Sequence, residues 1–196
     1  MNITRNMKNY EKEITNDILN EIIMPKRSLL TKLLIEFINI HSIKLIDDSK
    51  NLKVVSFEYE MPFEFNYVGY PESEIIAQDY WNDHHHIDIS NESDDDKIEQ
   101  IFKKHGFELV EDESYHWENE DNGEYIEANF IFEKLEDDLF HEAWTEAKRM
   151  TNSNYRCFFF QHDSYYGIDA DTRKPAGSDD VINLLDKEGF DYILMT

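Results

Sequence analysis

The chain is poor in residues on which several common functional motifs depend. It has 1 Cys, 6 Gly and 4 Pro among 196 residues. A lone cysteine excludes an internal disulfide framework, and the apolar run Tyr155-Arg156-Cys157-Phe158-Phe159-Phe160 predicts that Cys157 is a small buried residue rather than a nucleophile. With so few glycines a phosphate-cradling loop is not expected, and the sequence contains no Gly-x-Ser-x-Gly and no Cys-x-x-Cys motif.

Long apolar runs are also missing. The first 20 residues are polar and lack the apolar region of a signal peptide. The longest apolar stretch, residues 29–43, is too short and too polar to span a bilayer, since it is interrupted by Thr31, Lys32, Glu36, Asn39 and His41. We therefore expect a cytoplasmic protein with no membrane partner.

Basic residues are scarce in the middle of the chain. Residues 57–147, the acidic block, hold 4 Lys or Arg against 28 Asp or Glu and carry a net charge of −24. The segments on either side are nearly neutral, at +2 for residues 1–56 and −2 for residues 148–196. Direct nucleic-acid binding is disfavoured, because phosphate contacts need Lys and Arg. Because the negative charge is confined to one block, we expect the electrostatic field of the protein to be strongest on one side.

Apolar periodicity predicts an α+β fold. Spacings of three and four predict a helix over residues 4–23, which Pro25 ends, and a second helix that begins after Ser28. Period-two alternation predicts antiparallel strands over residues 52–60 and 63–70. We expect two N-terminal helices in a segment of residues 1–46 and an acidic α+β domain of residues 47–196, forming one compact unit overall, with helices on one face of an antiparallel sheet.

The rest of the chain alternates between helices and strands. Asp94-Asp95-Asp96 predicts the start of a helix over residues 96–105, because carboxylates complement the positive end of the helix dipole, and Gly106 predicts its end. Further strands are expected over residues 107–110, 124–132, 155–160, 165–169 and 190–195. Further helices are expected over residues 136–150 and 178–188.

Residues 96–108 and 179–191 align without a gap, and their apolar positions, glycine and phenylalanine coincide. Either a duplicated αββαβ unit or the ordinary pattern of a helix–glycine–strand connection explains this likeness. The order helix–strand–strand–helix–strand over residues 96–160 is that of a ferredoxin-like half-sheet. It is similar to the regulator of ribonuclease E activity B, although Tyr155-Arg156-Cys157-Phe158 stands in place of Tyr-Asp-Gly-Trp. The resemblance implies a regulator of a cellular ribonuclease-type enzyme and carries over no residue roles.

A histidine cluster supplies a metal-dependent alternative. In His84-His85-His86-Ile87-Asp88, an extended backbone would point His84, His86 and Asp88 to the same side, where they could bind zinc or iron. The His-x-His-x-Asp pattern echoes some metallohydrolases, but there the aspartate precedes a histidine, whereas Ile89 follows here. The competing interpretation is a polar loop whose histidines offset nearby carboxylates such as Asp79 and Asp83.

Asp169-Ala170-Asp171 offers two carboxylates that could hold calcium or magnesium. The EF-hand continuation is missing, which favours a plain turn between a strand and a helix.

The acidic block itself carries the main functional hypothesis. Aromatic residues are interleaved with its carboxylates, and aromatic anchors ringed by acidic residues suit the capture of a basic protein. We expect partner contacts at Trp117 and at nine carboxylates: Glu58, Glu60, Glu64, Glu111, Asp112, Glu113, Glu118, Glu120 and Asp121. The competing interpretation is a solvated acidic surface that only confers solubility.

These observations predict a non-catalytic acidic inhibitor that needs no cofactor and occludes a basic protein, such as a nuclease or another nucleic-acid-binding enzyme. It could be a toxin-immunity protein, or a nucleic-acid mimic with an anti-defence role in which carboxylates replace phosphates. The first alternative is an enzyme that uses a metal at His84, His86 and Asp88. The second is the ribonuclease-type regulator. The N-terminal helices could also form a homodimer.

Overall fold

The computed structural model describes residues 8–44, 54–59, 64–71, 85–110, 116–119, 121–161 and 166–177, together with residues 180, 183 and 187. Within these residues the fold is α+β, as predicted. The strands are β1 (Val54–Tyr59), β2 (Asn66–Pro71), β3 (His85–Asp88), β4 (Glu108–Leu109), β5 (His116–Asn119), β6 (Glu124–Glu127), β7 (Arg156–Gln161), β8 (Tyr166–Asp169) and β9 (Lys174–Gly177). The helices are α1 (Asn9–Ile18), α2 (Met24–Lys44), α3 (Asp94–Lys104) and α4 (Asn129–Thr151).

The N-terminal part is one long helix, so the prediction of two helices separated at Pro25 is wrong. A five-residue π-helical turn, Leu19–Ile23, joins α1 to α2 without a break. In a regular α-helix a proline ring clashes with the carbonyl four residues earlier. Here the Met24 N–H donates to the carbonyl of Leu19, and this wider turn accommodates the ring of Pro25. Among the described helices, none is both long and apolar enough to cross a membrane.

Six strands form a mixed sheet in the order β3-β2-β1-β7-β8-β9. The predicted sheet was antiparallel throughout, but its two central strands, β1 and β7, are parallel, with Val55 opposite Cys157. Parallel neighbours require a crossover connection, and α4 precedes β7 and packs against α2 beside the sheet. β9 was not predicted, since its residues were assigned to a turn and a loop.

Strands β4, β5 and β6 form a separate antiparallel sheet. The half-sheet expected over residues 96–160 is therefore divided between two sheets. The strand predicted over residues 124–132 ends at Glu127, because the apolar residues that follow have helical spacing. Phe130 is 65% exposed, which breaks the strand-like alternation with the buried Ala128 and Phe132.

Aromatic side chains hold the helices on one face of the six-stranded sheet. Phe140 of α4 stacks on Phe159 of β7 with ring centroids 4.1 Å apart, and Phe37 of α2 meets Phe57 of β1 at 4.8 Å. Gly69 of β2 is needed for this packing, since a Cβ there would lie 2.5 Å from the Phe57 ring.

The same core extends to the small sheet. Phe102 of α3 stacks on Trp117 of β5 at 4.2 Å and meets Phe132 of α4 edge to face at 6.4 Å. Tyr10 of α1 packs on Phe107 at 5.1 Å. One cluster of buried residues thus includes the N-terminal helix, α3, α4 and both sheets.

A buried ion pair fastens the N-terminal helix to the start of α3. The Lys26 ammonium lies 2.6 Å from Asp94 Oδ2, and both side chains are 8% exposed. The same ammonium donates to the carbonyl of Ile89 at 2.6 Å and lies 4.3 Å from the centre of the Phe65 ring. Phe65 adopts a left-handed backbone, with φ of 52°, at the start of β2. Lys26 therefore joins elements from four parts of the chain.

The π-helical turn decides which side of the helix carries Lys26. A π-helical turn adds one residue, which rotates everything after it by about 100° relative to an uninterrupted α-helix. Without that residue the Lys26 side chain would turn away from Asp94. The same π-helical turn therefore both accommodates Pro25 and orients Lys26 towards Asp94.

Asp94→Asn should lower the free energy of unfolding by about 3 kcal/mol, because it leaves the buried Lys26 ammonium without a counterion. Urea denaturation followed by circular dichroism measures this change. The matched control is Lys97→Met, which removes a 42% exposed cation 3.9 Å from the same carboxylate. We expect the control to change stability by less than about 0.5 kcal/mol. Equal effects from the two substitutions would contradict the role given to the buried pair.

Candidate acidic interaction surfaces

The described carboxylates of the acidic block gather at two main places. The first is a cleft of about 720 Å³ between the edge of the large sheet, the start of α3 and the inner face of the small sheet. We call it the acidic cleft. It is lined by Glu64, Asn66, Asp88, Ser90, Asn91, Glu92, Asp94, Asp95, Asp96, Ile98, Glu99, Leu109, Trp117 and Phe132.

The acidic cleft combines negative charge with an apolar wall. Seven of its lining residues are Asp or Glu, four are apolar or aromatic, and none of those described is Lys or Arg. Three carboxylates have partners: Asp94 pairs with Lys26, Glu99 pairs with Lys103 at 2.6 Å, and Asp88 accepts the Ser90 N–H at 2.8 Å. The hydrogen bonds from Ser90 lower the pKa of Asp88.

The other four carboxylates of the cleft have no cationic partner within the described ranges. These are Glu64, Glu92, Asp95 and Asp96. Without counterions they repel one another and generate a strongly negative potential, which a partly enclosed, low-dielectric cleft concentrates.

Trp117, which was predicted to be an anchor for the partner, forms part of the cleft wall. It is 4% exposed, and its ring is held by the stack on Phe102. Because strand side chains alternate, Trp117 points to the inner face of the small sheet and Glu118 to the outer face. The indole Nε1 is buried and has no hydrogen-bond partner among the described residues, and the same holds for Oδ1 of Asn66 across the cleft.

The second acidic surface is the outer face of the small sheet, which carries Glu108, Glu118 and Glu127 with His116 and Tyr125. Strand pairing sets Glu108 opposite Glu118 and Glu118 opposite Tyr125. His116 and Tyr125 stack with ring centroids 5.3 Å apart, and Tyr125 is 54% exposed. Directly opposed like charges destabilise an antiparallel pair, so the fold retains this arrangement despite its cost.

The structure divides the predicted contact residues between several places. Glu58 is half-buried on β1, Glu64 lines the cleft, Glu118 lies on the outer face, and Asp121 is exposed in the turn after β5. The remaining predicted contacts lie outside the described residues: Glu60, Glu111, Asp112, Glu113 and Glu120. Sequence reasoning missed Tyr125 and Glu127, although their alternation with Ile126 was a usable signal.

The alternative metal site lies only partly within the described residues. β3 is extended, and His86 and Asp88 lie on its exposed side while Ile87 is buried on the other. His84 lies outside the described residues. Within the described ranges, no three His, Cys, Asp or Glu side chains come together in a way that could hold a metal ion.

Asp169 and Asp171 form a structural turn, but it joins the two strands β8 and β9 rather than a strand and a helix as predicted. Asp171 accepts hydrogen bonds from Lys148 at 2.5 Å and from Trp144 at 3.2 Å, and Arg156 binds Asp169. The interpretation of this pair as a turn is therefore supported, since basic side chains already occupy its carboxylates. Cys157 is buried, as expected.

A third acidic group, in the first half of α4, was not predicted. Burial, followed by the nearby charges of Asp138 and Glu133, raises the pKa of Asp137 to about 7. Burial also raises the pKa of Glu133, and burial together with the Glu136 carboxylate raises the pKa of Tyr67. The sequence pattern that could have revealed this group is Glu136, an acidic residue within the apolar stripe of α4.

No protein-family model, curated protein or solved structure matches the chain. Its function must therefore be inferred from its own geometry.

Asp137 should make the stability of the protein fall as pH rises from about 4 to about 7. Its native pKa lies above the unfolded value of 3.8, so in this window the native state holds a proton that the unfolded state releases. Asp137→Asn should remove that fall and raise the free energy of unfolding at pH 8 by about 1 kcal/mol or more. Urea denaturation at pH 5 and pH 8 measures the difference.

The control for this prediction is Asp138→Asn, one residue further along the same helix. Asp138 pairs with Lys134 at 3.0 Å and with Arg173, so its neutralisation removes favourable contacts. We expect no gain at pH 8 from the control. A pH dependence that is identical in wild type and Asp137→Asn would show that Asp137 does not hold its proton in the native state.

Proposed function

We propose that the protein is a non-catalytic inhibitor that binds a basic protein through its acidic surfaces and occludes that protein's working site. The observation that carries the proposal is the outer face of the small sheet. There, three exposed glutamates surround a stacked His116–Tyr125 pair on a rigid sheet. Lys103, 3.7 Å from Glu108, is the one cation that approaches these glutamates within the described residues.

This arrangement has the two components of a charge-selective interface. Carboxylates accelerate the encounter with a positively charged partner and reject acidic proteins. An exposed tyrosine at the centre supplies contact area that can be desolvated on binding, as aromatic residues do at interface hot spots. The segments that contain Glu111, Asp112, Glu113 and Glu120 connect the strands of this sheet, so they extend the acidic character of the surface in sequence.

Partners that suit this surface are nuclease toxins and other nucleic-acid-binding enzymes, whose substrate sites are basic. Toxin immunity and nucleic-acid mimicry both follow from the same chemistry. The ribonuclease-type regulator is less favoured, because its expected ferredoxin-like half-sheet would need β4, β6 and β7 in one sheet. For the metal-dependent alternative, about one equivalent of zinc or iron in the purified protein would place that function first.

A homodimer through the N-terminal helix remains a proposal of its own. Met24, Leu29 and Ile40 are 48%, 46% and 45% exposed on that helix. Sedimentation measurements on the wild type and on a variant with Met24→Lys and Leu29→Lys distinguish a dimer from a monomer.

Reversing the charges of Glu108, Glu118 and Glu127 to Lys should weaken partner binding about 100-fold or more, because it replaces attraction by repulsion at the centre of the interface. The partner is first captured from the native host with wild-type protein at low salt. It is then purified and titrated with each variant by calorimetry. Wild-type affinity should fall steeply as salt rises, and wild-type protein should inhibit the purified partner stoichiometrically.

The matched control reverses Glu13, Glu36 and Glu146, which are exposed on the helices at 68%, 52% and 38%. It changes the net charge by the same amount, so it separates a specific surface from overall charge. We expect it to retain binding within about threefold, the small change typical of charges far from an interface. Equal weakening by both variants, or unchanged binding by the outer-face variant, would contradict the proposal that the outer face of the small sheet is the partner interface.

A further inference from the structure

The helix α2 is apolar on two sides, and only one of these sides is buried. Leu34 and Phe37 are fully buried where α2 packs against α4 and the large sheet. On the other side Leu29 and Ile40 are 46% and 45% exposed, and Leu33 is half-buried. A helix that is apolar all round is normally covered all round, so the exposed side has the character of an interaction surface.

The residues of this exposed side form one stripe with a charge pair in it. Leu29, Leu33, Glu36 and Ile40 follow one another at spacings of 4, 3 and 4 residues, which keeps their side chains on one face of the helix. Lys32 lies beside them, and its ammonium is 3.9 Å from the Glu36 carboxylate. We call these five residues the α2 stripe. It is electrically neutral in a chain with a net charge of −24, so two copies of the chain repel each other least there.

The α2 stripe is complementary to itself when two copies run antiparallel. Leu29 then faces Ile40 of the second copy and Leu33 faces Glu36, and a two-fold axis repeats both contacts. Lys32, next to Leu33, reaches the same Glu36 carboxylate across the contact. The two side chains are 72% and 52% exposed and are only loosely paired within one chain, so both are available to a second copy. A parallel arrangement would instead bring Glu36 to Glu36 and Lys32 to Lys32.

We propose that the α2 stripe binds a second copy of this chain in an antiparallel, two-fold symmetric dimer. Leu29 and Ile40 form the two apolar ends of the contact, and two Lys32–Glu36 pairs between the copies fix its direction. This inference rests on the homodimer proposed above and gives that homodimer its contact residues and its direction. The stripe shares no residue with the outer face of the small sheet, so the dimer presents two such faces to basic partners.

The contact residues are tested by sedimentation velocity over a series of protein concentrations, which measures the dissociation constant of the dimer. Leu29→Lys should raise that constant about 10-fold or more, because it places a charge in an apolar contact that occurs twice. The matched control is Met24→Lys, since Met24 is 48% exposed but lies about 140° around the helix from Leu29. We expect the control to stay within about threefold of wild type, and circular dichroism checks that both variants are folded.

An exchange of charges tests the direction of the two helices. Lys32→Glu should weaken the dimer about 10-fold or more, because like charges then meet at both pairs. Adding Glu36→Lys to that variant restores opposite charges within each chain and between chains, so the dissociation constant should return to within about threefold of wild type. Fluorescently labelled wild type should form no mixed dimer with this exchanged variant, because like charges meet between the two copies.

Salt separates this contact from the proposed partner interface. Higher salt should tighten the dimer, because it screens the repulsion between two chains that each carry a net charge of −24, whereas it should weaken the capture of a basic partner. The charge-reversal control for the outer face contains Glu36→Lys. That control should therefore be monomeric and still bind the partner.

The contrary outcomes are distinct from one another. A wild-type chain that stays monomeric up to about 1 mM overturns the proposal, as do equal effects of Leu29→Lys and Met24→Lys. Preferred mixed dimers would identify a parallel pair and overturn the antiparallel arrangement. Weakening by Met24→Lys alone would keep the homodimer but place it on another face of the helix, so this inference alone would fall. If the dimer behaves as expected but outer-face reversal leaves partner binding unchanged, the proposed partner interface falls and the dimer stands.

Discussion

The ion pair between Lys26 and Asp94 is the contact on which the arrangement of the acidic surfaces depends. It lies in the core, where a charge is tolerated only with a close counterion and further polar partners. The carbonyl of Ile89 and the ring of Phe65 complete that shell. Because Asp94 is the first residue of α3, the pair fixes the helix that forms one side of the acidic cleft. The carboxylates that follow Asp94 are thereby displayed from a rigid position rather than from a tail.

The same rigidity explains how a chain with a net charge of −24 keeps its acidic groups available. Self-repulsion opposes compaction, and the continuous core that contains the aromatic side chains offsets it. The small sheet separates two environments: a partly enclosed cleft on the side of Trp117 and an open surface on the side of Glu118. Both environments are acidic: seven Asp or Glu residues line the cleft, and the open surface carries Glu108, Glu118 and Glu127.

Local sequence patterns predicted the elements they directly encode. Asp94 to Asp96 mark the start of α3, Gly106 ends it with φ of 81°, and strands β1, β2 and β7 lie where strands were predicted. Patterns failed where a distant residue decides. No local sequence pattern around Pro25 indicates that a π-helical turn lets the helix continue. No local pattern around Lys26 indicates that its ion-pair partner, Asp94, lies 68 positions later. The orientation of Trp117 was predictable from alternation with Glu118, whereas its buried stack on Phe102 depends on the docking of α3.

The opposed glutamates of the small sheet connect the stability of that sheet to the proposed binding of a cationic group. Glu108 and Glu118 face each other across neighbouring strands, so their mutual repulsion lowers the stability of the small sheet. Under the proposed function, a cationic group of the partner placed between them would replace this repulsion by attraction to both carboxylates. The free energy of binding would then include the relief of this repulsion. A rise in the melting temperature or in resistance to proteases would therefore report that a cationic group is bound to this surface, whatever the identity of that group.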